Sequence, residues 1–162
     1  MVQKDWVAVG LLALAACLGG GRIAPGEEPA DPVVEALGAR VSRFLEGVSR
    51  ATTQAAYQEL LAGSPLLKQT KAIETLVTKT DELKDRYGLY RGLERISARH
   101  VGNDLVLMRY LYKCENSPVV FYFTFYRAPR PETPAEKNDN WRVIIVRFDT
   151  ELELLGLTAS LK

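Results

Sequence analysis

The feature that most constrains the fold is a change of hydrophobic period at Gly88. Before it, apolar residues recur at three- and four-residue steps, the period of a helix with one buried stripe. After it come runs of β-formers separated by turn residues. Asp31-Pro32 reads as an N-cap and first helical residue, opening a helix over about 32–48 with Val33, Leu37, Val41, Phe44, Leu45 and Val48 on one side. Thr52 or Thr53 caps a shorter helix carrying Ala56, Tyr57, Leu60 and Leu61, closed by Gly63. Ser64-Pro65 opens a third, longer stripe through Leu66, Leu67, Ile73, Leu76, Val77, Leu83 and Tyr87, which Gly88 ends. Its opposite side, with Lys71, Glu74, Lys79, Glu82 and Lys84, is a solvated face.

The second half predicts four strands: a modest one near Arg95–His100, interrupted upstream by Gly92, then Leu105–Cys114, Val119–Arg127 and Trp141–Asp149. Gly102-Asn103-Asp104 and Glu115–Pro118 are turns, and the proline-rich stretch 128–140 is a long exposed loop. Leu152, Leu154, Leu155 and Leu157 extend the last strand or form a short terminal helix. Helices followed by consecutive strands predict an α+β fold, three N-terminal helices packed on an antiparallel sheet of about four strands. Pairing Cys114 with Val119 puts Tyr112 opposite Phe121, Tyr110 opposite Phe123 and Met108 opposite Phe125 on an almost wholly apolar face that packs on the helices. The other face then holds Leu111 with Tyr122, Arg109 with Thr124 and Leu107 with Tyr126, which is aromatic for a face left in water and asks for a cover. A homodimer through this face is one cover and the leucines of the tail another. Arg109 and Lys113 weigh against self-association, because like charges would meet across the axis.

The N-terminus reads as an export signal. Lys4 precedes an apolar run from Trp6 to Leu18, about 13 residues and shorter than the roughly 20 of a spanning helix. The run ends in Leu14-Ala15-Ala16-Cys17, which resembles the bacterial lipobox, where small residues precede a cysteine that receives lipid. Cys17 is then the lipidated residue, 1–17 the signal, 18–30 a Gly/Pro-rich tether, 31–157 a single domain and 158–162 a frayed tail. An ordinary secretory signal cut after Ala15 or Ala16, or a short uncleaved anchor, are the alternatives. The lipobox reading implies a membrane partner through the lipid and a place in the bacterial cell envelope. By analogy Leu18, in place of an aspartate, favours the outer membrane.

Composition limits the chemistry. The 162 residues carry 21 Lys and Arg against 20 acidic residues, a net charge of +1 that argues against a nucleic-acid binder. One histidine and two cysteines exclude multi-histidine and four-cysteine metal sites, and no phosphate loop or serine-nucleophile elbow is present, so neither metal nor cofactor is expected. His100 sits just before a turn, where side chains reach water, and the nearby Asp104 bonds its own backbone in the usual turn geometry. Arg109 is the one mid-strand charge of its hairpin. Alternation places Arg147 on the face of Val143 and Ile145; if that face is inward, Arg147 and Asp149 pair at the pocket mouth. Cys114, in an apolar strand, is an inert thiol.

The helix carrying Ala56-Tyr57-Gln58-Glu59-Leu60-Leu61, the longer helix closing on Tyr87-Gly88 and the final Trp141-Arg142-Val143-Ile144-Ile145-Val146-Arg147-Phe148-Asp149 resemble, over about residues 33–155, the nuclear transport factor 2-like superfamily, the cystatin-like α+β cone. The resemblance implies a curved sheet wrapped on helices, frequent dimerisation through the sheet, and a ligand pocket between the layers, here lined by Met108, Tyr110, Tyr112, Phe121 and Phe123. An aromatic stripe of this kind is more often core than a binding wall. Members of the superfamily include isomerases, dehydratases, carriers and binding domains, so fold does not select among them. The leading expectation is a non-catalytic, lipid-anchored domain binding a partner protein or a small apolar ligand. The alternative is a small isomerase- or dehydratase-type enzyme using His100, Asp104 or Tyr110 on a hydrophobic substrate.

Overall fold

The computed structural model describes residues 31–129 and 140–150. The lipobox and tether, the proline stretch of 130–139 and the leucines after Thr150 lie outside them. Helix α1 (Pro32–Ser49) begins where the cap was read: the Asp31 carboxylate accepts the Val33 N–H at 2.8 Å and the Val34 N–H at 3.4 Å. Leu37, Val41, Phe44, Leu45 and Val48 are buried, as the stripe requires. Helix α2 (Thr53–Leu60) crosses it so closely that a Cβ on Gly47 would stand 2.8 Å from the Ala56 Cβ. Arg40 of α1 crosses to the end of α2, donating to the carbonyls of Leu60 (2.5 Å) and Ala62 (3.3 Å), and also to Trp141 (3.2 Å). These include helix-terminal carbonyls that lack a partner within their own helix.

The third stripe departs from expectation. It is not one helix but a 3-10 turn (Pro65–Lys68), helix α3 (Thr70–Asp81) and a short helix α4 (Leu83–Tyr87). Gln69, with ψ at 61°, leaves the helical region and redirects the chain. Ser64 fixes the turn from both sides, accepting the Leu66 N–H at 3.1 Å and donating to the Val143 carbonyl at 2.5 Å. Leu67 is consequently exposed, while Ile73 and Leu83 keep the apolar side buried. Thr53 donates to Asp81, and the buried Tyr57 hydroxyl lies 3.0 Å from Thr80 Oγ1, so polar groups join α2 to α3.

Four strands follow in a simple antiparallel meander, β1 (Tyr90–Val101), β2 (Leu105–Cys114), β3 (Val119–Arg127) and β4 (Trp141–Asp149), paired in chain order. The α+β class and the bounds of β2, β3 and β4 agree with the sequence reading. Strand β1 is twice the expected length. Two irregularities, at Tyr90–Gly92 and Arg95–Ser97, break its alternation, and the apolar ladder of β2 carries it as an edge strand.

The hairpin register is also corrected. Tyr112 pairs with Val119, Tyr110 with Phe121, Met108 with Phe123 and Arg109 with Tyr122, two residues away from the pairing inferred through Cys114 and Val119. An even slip leaves every side chain on its face. The inner face therefore remains Met108, Tyr110, Tyr112, Phe121, Phe123 and Phe125, all 5% exposed or less. In β4 a bulge opposite Thr124 and Phe125 inserts Ile144. Val143 and Val146 face the helices, whereas Ile145 and Arg147 face outward, so Arg147 does not share a face with Val143 as strict alternation implied.

Candidate functional site

The residues proposed to line a pocket between the layers are packed tightly together. The Phe44 ring from α1 meets Tyr57 edge-on at 4.8 Å between centroids, Phe123 at 5.8 Å and Phe121 at 6.3 Å. Phe121 and Phe123 stack at 6.2 Å, and Tyr110 and Tyr112 each abut one of them. Met108, Phe121 and Phe123 are at most 1% exposed. The two tyrosines reach the margins of the layer. Tyr110 donates to the Gly38 carbonyl at 3.4 Å and lines a shallow groove with Glu35, Ser42, Leu93 and Arg95. Tyr112 lines a cavity of about 140 Å³ at the far end, near Val48, Thr80 and Tyr90. Burial pushes both phenols up, strongly for Tyr112, so at neutral pH they are hydrogen-bond donors and not bases. The Cys114 thiol is free, and burial pushes it up as well.

The polar groups gather at the end of the molecule where α1 starts. His100 Nε2 lies 2.6 Å from Asp31 Oδ2. Asp31 thus does two things with two oxygens, Oδ1 capping α1 and Oδ2 holding the imidazole. Some burial pushes its carboxyl up, but the bonds from the Val33 N–H, His100 and the Val34 N–H outweigh this and leave it below the usual carboxylate range. Asp104, near His100 in sequence, pairs elsewhere: the Arg127 Nε–H and its terminal N–H both reach Asp104 Oδ1 at 2.9 Å. Arg127 also lies 5.5 Å above the Trp141 ring, whose edge meets the His100 ring at 6.4 Å. The His100–Asp31 pair is not legible in the sequence, because 69 positions separate the two residues and Asp31 already has a role as a cap.

Beside this cluster lies a cleft of about 430 Å³ lined by Val33, Asp104, Arg127, Pro129, Asn140 and Trp141 among others. Its walls are mixed, with Val33, Pro129 and Trp141 supplying apolar surface and Asn140 and the Asp104–Arg127 pair supplying polar surface. His100 and Asp31 stand next to it and are not part of its lining. Among the described residues no group of three or more His, Cys, Asp and Glu side chains is placed to hold a metal ion, and no helix is long and apolar enough to cross a membrane.

The outward face of the sheet has a different character. Tyr122 lies between two guanidinium groups, Arg147 at 4.5 Å from the ring centroid and Arg109 at 5.7 Å. Ile145 on the same face is 47% exposed. No family model matches the chain, and neither a curated protein nor a solved structure matches it.

Proposed function

We propose that this protein is a lipid-anchored, non-catalytic domain of the bacterial cell envelope that binds a small apolar ligand or an apolar segment of a partner protein in the cleft at Trp141. The observation that carries the reading is the contrast between a closed interior and an open end. Phe44, Tyr57, Phe121 and Phe123 fill the space between helices and sheet, while Val33, Pro129 and Trp141 border about 430 Å³ of accessible space. Apolar side chains beside convergent polar groups are the usual ingredients of a small-molecule site, and this cleft offers both in similar share. The anchor rests on Leu14-Ala15-Ala16-Cys17, and the nuclear transport factor 2-like cone remains the family reading that the element order supports.

A second reading, a small proton-transferring enzyme, draws on the His100–Asp31 bond, since an oriented imidazole is a common general base. It ranks second because neither residue lines the cleft and Asp104 is engaged by Arg127.

Two measurements test the leading reading separately. Intact mass spectrometry of the mature protein should find lipid on an N-terminal Cys17, and another N-terminus without lipid there would remove the anchor. Once residues 1–17 are absent, Trp141 is the sole tryptophan. Titration with laurate should change its fluorescence saturably in the wild type and not in Arg127→Ala or Val33→Asp. A signal indifferent to laurate and to an apolar peptide would remove the cleft as a binding site.

A further inference from the structure

We infer that the outward face of the sheet is a docking surface for an anionic lipid bilayer. This deepens the anchored reading and rests on it for its setting. Residues 31–88 carry eight Lys and Arg and eight acidic residues, and residues 89–162 carry eleven against nine. Both halves of the chain are close to neutral, so what distinguishes the sheet is where its charges sit.

Register gathers strand cations on one side. Arg99 is paired with Leu107, Arg109 with Tyr122, Tyr122 with Arg147, and Tyr126 with Arg142, all facing away from the helices. Lys113 and Arg91 complete six cations, set against Glu94, Glu115 and Asp149. Glu94 and Glu115 are salt-bridged to Lys113 and Arg91, each at 2.6 Å, toward the Cys114 end of β2. The cations are interleaved with Leu107, Leu111, Tyr122, Tyr126 and the exposed Ile145.

That mixture fits a bilayer interface. Arginines meet phosphates, amphipathic tyrosines sit at headgroup depth, and short apolar side chains reach the acyl boundary. Stacking on Tyr122 holds the Arg109 and Arg147 guanidinium groups by their faces, and a guanidinium donates to phosphate oxygens by its edge. A second copy of the chain fits this face less well, because two-fold pairing opposes cations to cations. An acyl chain on Cys17 joined by a 13-residue tether brings the face to the membrane at high effective concentration.

The test uses residues 18–162, which keep every described element and carry no lipid, with sedimentation on phosphatidylcholine vesicles with and without phosphatidylglycerol. The protein should partition onto the mixed vesicles, weakly or not at all onto neutral ones, and release as salt is raised. Arg99→Glu/Arg142→Glu, two exposed positions that leave the core untouched, should weaken partition at least about 25-fold, at roughly fivefold for each cation lost. Arg109→Glu/Arg147→Glu should do the same with an unchanged circular dichroism spectrum, and Lys71→Glu/Lys79→Glu on α3 should have little effect. Equal partition onto both vesicle types, or onto neither, overturns the proposal. So does a stable dimer by ultracentrifugation that Arg99→Glu/Arg142→Glu breaks, which would give the face to a second copy. None of these outcomes depends on Cys17, so a failure here leaves the anchor standing, and a failure of the anchor leaves vesicle binding readable.

Discussion

Neighbouring residues of a single strand separate two environments. Phe121 and Phe123 of β3 point inward, at most 1% exposed and locked by Phe44, whereas Tyr122 between them points outward into a pair of arginines. The inner environment is fixed by shape: each ring has aromatic neighbours at definite angles, and removing one leaves a void that the others cannot close. The outer environment is set mainly by charge and partial exposure, although Val120, beside Leu111 and Asp149, is closed off there at 1% exposure. Stability should therefore be concentrated on one face of the strand and interaction on the other.

The largest expected effect breaks that contrast if it is wrong. Phe123→Ala should cost about 3–5 kcal/mol, and Tyr122→Ala about 1 kcal/mol or less, read from denaturant midpoints. Equal losses would mean that the outward face is packed as a core. Arg40 comes next. It joins α1 to the carbonyls of Leu60, Ala62 and Trp141, so Arg40→Ala should cost about 1–3 kcal/mol, while Arg43→Ala, an exposed ion pair with Glu59, should be near neutral.

The smallest effect concerns Asp31. Its carboxyl titrates below the usual range in the fold, so the stability it confers is complete above the ordinary aspartate value of about 4 and is lost as pH falls through its lower folded value. Asp31→Asn keeps an oxygen to cap α1 but removes that charge. Its midpoint should fall slightly at neutral pH, and its loss of stability below about pH 4 should be shallower than that of the wild type. An acid limb identical to the wild type would show that Asp31 contributes nothing through its charge.

The two faces also differ in how far the sequence revealed them. Strict alternation from Leu105 to Cys114 and from Val119 to Arg127 assigned every β2 and β3 side chain to its face, and this survived a two-residue error in register because the side-chain period is two. The same logic failed in β4, where the bulge at Ile144 put Arg147 outward. It failed again in β1, whose length is imposed by pairing with β2 and not by its own residues. Pro32 marked the start of α1, and Pro65 and Gly88 the two ends of the third apolar stripe, but the end of α1 at Arg50 and the break at Gln69 have no such marker. At the candidate site, His100 and Asp104 were visible as polar residues four positions apart. Their partners, Asp31 and Arg127, were not, because contacts 69 and 23 positions apart depend on how the sheet lies against α1 and on the pairing of β2 with β3.

The contrast between faces can be read in one experiment that needs no substitution. Tyr57, Tyr110 and Tyr112 lie on the inner side at 0–5% exposure, while Tyr122 and Tyr126, with Tyr122 among the arginines, lie on the outer side. Hydroxyl-radical footprinting of residues 18–162, resolved to single tyrosines by mass spectrometry, should oxidise Tyr122 and Tyr126 several-fold faster than the other three. Rapid oxidation of Tyr110 and Tyr112 with protection of Tyr122 and Tyr126 would contradict the account, because it would reverse the faces of β2 and β3.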